Sequence, residues 1–121
     1  MLVEVGGLKN RVGRVRVRAF TDPRHYFERG HEVTWIEVPT PRAGPIAICV
    51  PAPRVGYYAL DVRHDVNSNG KTDWSDGVGL SGNPRLSILD VVFKRRPAAN
   101  RVQVAAGRGI VAVPIVVRYR G

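Results

Sequence analysis

Proline and glycine interrupt this chain so often that they leave little room for a helix of three turns. Thirteen glycines and nine prolines are spread over 121 residues. Turn chemistry recurs at Lys9-Asn10, Thr21-Asp22-Pro23, Pro39-Thr40-Pro41, Pro51-Ala52-Pro53, Gly82-Asn83-Pro84 and Pro97, and a proline inside a helix both removes a donor and clashes with the preceding turn. What lies between the breaks alternates with period two. Val15, Val17 and Ala19 alternate with Arg14, Arg16 and Arg18, and Tyr58, Leu60 and Val62 with Ala59, Asp61 and Arg63, the pattern of strands with one dry face. Further strands are expected at residues 2–7, 32–38, 45–50, 86–94, 101–105 and 111–119. Pro114 cannot donate to a ladder, so the last run is expected at a sheet edge or broken there. A turn of helix fits around Arg24 to Arg29. The expected architecture is an all-β, antiparallel β-sandwich of about seven strands, immunoglobulin-like or transthyretin (prealbumin)-like, with residues 1–121 as a single domain.

Hydrophobic residues make up 44% of the chain, enough for a core, yet no apolar run approaches the roughly 20 residues of a membrane span. Met1-Leu2-Val3-Glu4-Val5 reads as strand rather than as a basic-then-apolar leader. The one cysteine, Cys49, excludes an internal disulfide, and its place in Ile46-Ala47-Ile48-Cys49-Val50 predicts a small buried hydrophobe. A formal charge of +9 suits either a solubilising surface or polyanion partners. Arginine far outnumbers lysine, which fits compositional drift as readily as selection for phosphate contacts.

The chemistry-bearing stretch is His64-Asp65-Val66-Asn67-Ser68-Asn69-Gly70-Lys71-Thr72-Asp73-Trp74-Ser75-Asp76. Counted from Asp65, oxygen-bearing side chains fall at positions 1, 3, 5, 9 and 12 and glycine at position 6, the spacing of a twelve-residue calcium loop. Calcium takes six to eight oxygens. Asp65, Asn67 and Asn69 supply side-chain oxygens in this scheme, Lys71 its carbonyl, Asp73 an oxygen directly or through water, and Asp76 closes the shell. Three carboxylates in a cationic chain predict a weak site, roughly micromolar to millimolar, as in extracellular modules. The competing reading is a polar loop held by Asx turns, of which Asn69-Gly70 is a common example. His64, a poor calcium ligand, is expected to orient the loop through a hydrogen bond.

These residues carry a resemblance. The chain is similar to the bacterial family of unknown function numbered 2141 among such domains. That family's pattern is a Pro-x-Gly-x-Tyr-Ala turn and strand, then His-Asp-x-Asn-x-Asn-Gly-Lys-x-Asp, then a Gly-hydrophobic-Ser-x-Asn segment. Here the three parts read Pro53-Arg54-Val55-Gly56-Tyr57-Tyr58-Ala59 (one residue longer before the glycine), His64 to Asp73, and Gly79-Leu80-Ser81-Gly82-Asn83-Pro84, followed by Leu89-Asp90-Val91-Val92-Phe93. Leu8 to Val15 resembles the family's first hairpin. The resemblance implies a β-sandwich, a periplasmic or secreted location behind a signal peptide, and no established catalytic activity. Members usually carry a longer, glutamate-containing connection after the loop. In this chain it contracts to Trp74-Ser75-Asp76-Gly77-Val78, with no glutamate; if that glutamate helps the site in other members, Asp76 must substitute for it.

Three functions compete. The first is a non-enzymatic exported module, tied together by calcium, with Tyr57 and Trp74 as a flat surface for a carbohydrate or protein ligand; Trp74 equally suits a cover over the core. The second is polyanion or nucleic-acid binding by Arg14, Arg16 and Arg18 on one sheet face, extended by Lys94-Arg95-Arg96, Arg118 and Arg120. Only Tyr119 interleaves with basic residues, so stacking platforms for single strands are lacking. The third, catalysis, has little to stand on. His64 and Asp65 are neighbours on a strand and face opposite ways, His25 and His31 read as surface residues, and no phosphate loop, zinc spacing or nucleophile elbow is present.

Overall fold

The computed structural model describes residues 1–71, 75–84 and 97–119. The expected strand at residues 86–94 therefore lies outside the described residues, as do Asp73, Trp74, Lys94, Arg95, Arg96 and Arg120. The chain is an all-β sandwich of two sheets. Its strands are β1 Leu2–Gly6, β2 Arg14–Phe20, β3 Thr34–Pro39, β4 Ile46–Cys49, β5 Gly56–Asp65, β6 Gly77–Leu80, β7 Gln103–Ala106 and β8 Ala112–Val116. A single 3-10 turn, Pro23–His25, occupies the place where a helical turn was expected, and a four-residue helix, α1 (Ala99–Val102), begins where residues 101–105 had read as strand.

One sheet has the order β4-β1-β8 and the other β3-β2-β5-β6, with β7 also on β5. All pairs are antiparallel except β1 with β8, which run parallel in the register Leu2↔Ala112 to Gly6↔Val116. The inward residues of the two sheets, among them Val3, Val5, Ile48 and Ile115 against Val15, Val17, Leu60 and Val62, form one apolar cluster. β5 is the central element. Its last eight residues are buried because β2 covers one edge along its length, while β7 and then β6 share the other. At the gap between those two strands Ser81 completes the ladder: its Oγ accepts from Leu60 N at 2.9 Å and donates to the Val102 carbonyl, and its N–H donates to Leu60 O at 2.9 Å.

Two expectations change. Residues 8–15 do not form a hairpin, because β1 and β2 belong to different sheets and the segment crosses between them. Cys49 is exposed: β4 lies at the edge of the small sheet and buries only Ile46 and Ile48, so the alternation turns Ala47 and Cys49 outward. Among the described strands, Pro114 sits at an edge, in β8. There Asn83 clips the strand, its Nδ2 donating to Pro114 O at 3.1 Å and its Oδ1 accepting from Val116 N at 2.8 Å.

Candidate functional site

β5 delivers His64 and Asp65 to one end of the large sheet, where Arg14 pairs with Asp65 and Val15 with His64. Strand alternation sends the two side chains to opposite faces. His64 is 0% exposed. Its Nε2 lies 2.6 Å from Val12 O and its Nδ1 2.5 Å from the Tyr119 hydroxyl. A carbonyl only accepts, so Nε2 carries the proton, and in the neutral ring Nδ1 accepts from Tyr119. The imidazole therefore pins residues 12–13 and 119 rather than the loop that follows it.

Residues 12–13 press on the base of that loop. Gly13 has φ +75°, and a Cβ there would overlap the Asp65 carbonyl oxygen and lie 2.7 Å from Val66 O. Thr40 holds the same turn, its Oγ1 donating to Val12 O at 2.9 Å and its N–H to Gly13 O at 3.0 Å.

Asp65 shapes the loop from inside. It is 1% exposed, and its Oδ1 and Oδ2 accept from Asn69 N at 3.3 Å and Gly70 N at 2.8 Å. Ser68 (φ +55°) and Gly70 (φ +75°) supply the left-handed positions that curl the backbone round the carboxylate. Asn69 Oδ1 accepts from Lys71 N at 3.0 Å. Asp76, also buried, returns to the start of the loop, where its Oδ1 accepts from Val66 N at 3.0 Å. The structure thus returns position 12 of the loop to the residue that follows position 1. An opposing charge is near, since Arg63 Nη1 lies 3.5 Å from Gly70 O.

Tyr119 connects this end to the small sheet. Lys9 Nζ lies 5.0 Å above its ring. Burial raises the phenol above its ordinary pKa, a backbone bond from Lys9 opposes this, and the Asp76 charge adds to it.

The arginine face is not a row of exposed cations. Arg14 Nε pairs with Glu37 at 3.2 Å, Arg63 Nη2 with Glu37 at 3.4 Å, and Arg16 Nη2 with Asp61 at 4.0 Å. Arg18 grips the Asp61 carboxylate with Nε and Nη2 together. Burial pushes the Arg16 guanidinium down to about 10 against the pull of Asp61.

A second cluster was missed. His25, Glu28 and His31, at the other end of β2, each place one ligand atom within 4.8 Å of the others. Among the described residues this is the one group of three or more His, Cys, Asp or Glu side chains that meets so closely. The histidines had read as separate surface residues. The three-residue spacing 25, 28, 31 was the available signal, and it carries meaning only once the backbone is known to turn at each step.

Comparison with curated proteins and with solved structures found no match. The family model described as "Uncharacterized protein conserved in bacteria (DUF2141)" matches residues 3–112. That match takes in all of β1 but its first residue, β2 to β7 and the whole Asp65–Asp76 loop, and the chain belongs to this family.

Proposed function

We propose that the chain is a non-enzymatic, exported binding module whose Asp65–Asp76 loop takes a calcium ion. The observation that carries this reading is the closure of the loop on its own start: buried Asp76 accepts from Val66 N, next to the buried Asp65 whose carboxylate accepts from Gly70 N. The ligand set is Asp65, Asn67, Asn69, the Lys71 carbonyl, Asp73 and Asp76, hard oxygen donors suited to calcium. Nearby Arg63 weakens attraction for a dication, which fits an affinity of roughly 10⁻⁴–10⁻³ M and a calcium-rich compartment outside the cytoplasm. In this role the ion fastens a long connection across the end of the sandwich. Tyr57, 64% exposed, offers a flat aromatic face to a carbohydrate or protein ligand. The pairing of Arg14, Arg16 and Arg18 with acids on the same face favours this reading over polyanion binding.

The test is the thermal midpoint with calcium, with magnesium and with chelator, for the native chain and for Asp65→Ala. Calcium at about 100 times its Kd adds about 2.7 kcal/mol, roughly 10 °C for a chain of this size. A calcium-selective rise that Asp65→Ala abolishes supports the site. Equal midpoints in all three conditions leave only a loop held by its own hydrogen bonds.

A further inference from the structure

We propose that His25, Glu28 and His31 form a second, independent metal site, for a late first-row divalent transition ion such as Zn²⁺. Three successive backbone bonds build it: His25 N to Asp22 O at 2.9 Å, Glu28 N to His25 O at 3.2 Å, and His31 N to Glu28 O at 3.1 Å. Each bond closes a turn of the same length, which returns residues 25, 28 and 31 to one side of the chain. Their ligand atoms lie within 4.8 Å of one another, and the two imidazoles stack with centroids 4.1 Å apart and planes 11° from parallel. Tetrahedral bonds of about 2.0–2.1 Å require ligand atoms about 3.3 Å apart. Partly exposed side chains reach that spacing by small rotations, and His25 Nδ1 already touches Glu28 Oε2.

The turns are anchored as a binding platform needs to be. Tyr26 is buried with Phe20, Ala59, Leu80 and Val102, and its hydroxyl accepts from Gln103 Nε2 at 3.2 Å. Arg18 Nη2 donates to Phe27 O at 3.3 Å, and the Phe27 ring packs edge-on against Phe20 at 5.6 Å. The Phe27 backbone itself is strained. With Tyr26 at φ −58°, ψ 131° and Phe27 at φ +66°, residues 25–28 form a type II turn with a bulky side chain where glycine is usual. The left-handed conformation is disfavoured for a non-glycine residue, and its effect is to set Glu28 beside His25.

Donor chemistry selects the ion. Two imidazole nitrogens and one carboxylate suit zinc, copper or nickel and leave a coordination position for water, whereas calcium and magnesium demand oxygen. Residues 22–32 hold three acids (Asp22, Glu28, Glu32) against two arginines (Arg24, Arg29), a local acidic balance in a chain of net charge +9. β2 separates this cluster from the calcium loop: Arg14 sits opposite Asp65 and Phe20 leads into the turns, about 20 Å at strand rise. The two proposals therefore stand or fall separately.

The experiment is zinc titration of the full, untagged, metal-stripped chain against a chromogenic chelator, with Co²⁺ absorption as a read-out of coordination. The expected result is one zinc per chain, not displaced by millimolar calcium, and visible bands of four-coordinate Co²⁺. His31→Ala and Glu28→Gln, at solvent-accessible positions, should each weaken zinc by at least about tenfold while keeping the metal-free thermal midpoint. Unchanged zinc affinity in both variants, or a Co²⁺ spectrum that remains that of the hydrated ion, overturns the proposal.

Discussion

Replacing Gly13 by alanine tests whether the turn at residues 12–13 is the clamp on the end of β5. Two costs follow from the structure. Gly13 has φ +75°, a region that costs an L-residue about 1–2 kcal/mol. The new Cβ would also overlap the Asp65 carbonyl oxygen and sit 2.8 Å from the Val66 carbonyl carbon, which are backbone atoms that no rotamer moves aside. Relief requires the turn to lift away, and lifting strains three bonds: His64 Nε2 to Val12 O, Thr40 Oγ1 to Val12 O and Thr40 N to Gly13 O. At about 1 kcal/mol each, the second cost is about 3 kcal/mol if all are lost. The total of roughly 4–5 kcal/mol is a large part of the 5–15 kcal/mol that holds a typical domain. Gly44→Ala isolates the first cost, because Gly44 has φ +80° with nothing within 4 Å of its ideal Cβ. Urea unfolding followed by circular dichroism should therefore show Gly13→Ala losing at least about 2 kcal/mol more than Gly44→Ala. Equal losses would refute the clamp and leave only backbone conformation.

Two further outcomes follow from charge and burial. Because burial holds the Tyr119 phenol protonated above its ordinary pKa, the folded state keeps a proton that the unfolded chain releases near pH 10, so stability falls as pH rises through that value. Tyr119→Phe should flatten the fall in thermal midpoint between pH 9 and 11, and an unchanged slope would remove Tyr119 as its source. Asp61→Asn leaves Arg16 and Arg18 largely buried beside a neutral amide and should cost about 3–5 kcal/mol in urea unfolding. Arg16→Met, which removes a guanidinium that burial already pushes down to about 10, should cost under about 1 kcal/mol or stabilise; the reverse order would show that Arg16, not Asp61, organises the face.

What could be read from the chain depended on whether the relevant physics was local. β2 and β5 were legible because their alternation records one face against the core. Asp65 accepts from Asn69 N and Gly70 N, and Asp76 from Val66 N, local bonds that Asp, Asn and Gly at this spacing make within a polar loop whether or not it holds an ion. Exposure of Cys49 was hidden because an apolar run does not say whether its strand is covered on one face or two, and β4 is covered on one. α1, four residues long, is shorter than any window in which helical period can be seen. The His25–Glu28–His31 cluster depends on Phe27 adopting a backbone conformation that phenylalanine disfavours, so residue preference pointed away from it.

The parallel pairing of β1 with β8 bears on how the molecule reaches this fold. β1 gains β4 early in synthesis, but its other edge waits for a partner whose register starts at Ala112. A growing chain therefore carries an unpaired strand edge until residues 112–116 have been made, and edges of that kind recruit other chains. Closing a contact between residues so far apart loses loop entropy before any pairing offsets it, which places folding in the slow, millisecond-to-second regime of non-local β topologies. On the side of β8 away from β1, Asn83 satisfies the Pro114 carbonyl and the Val116 N–H with its own side chain, so these two backbone groups are not left for another chain.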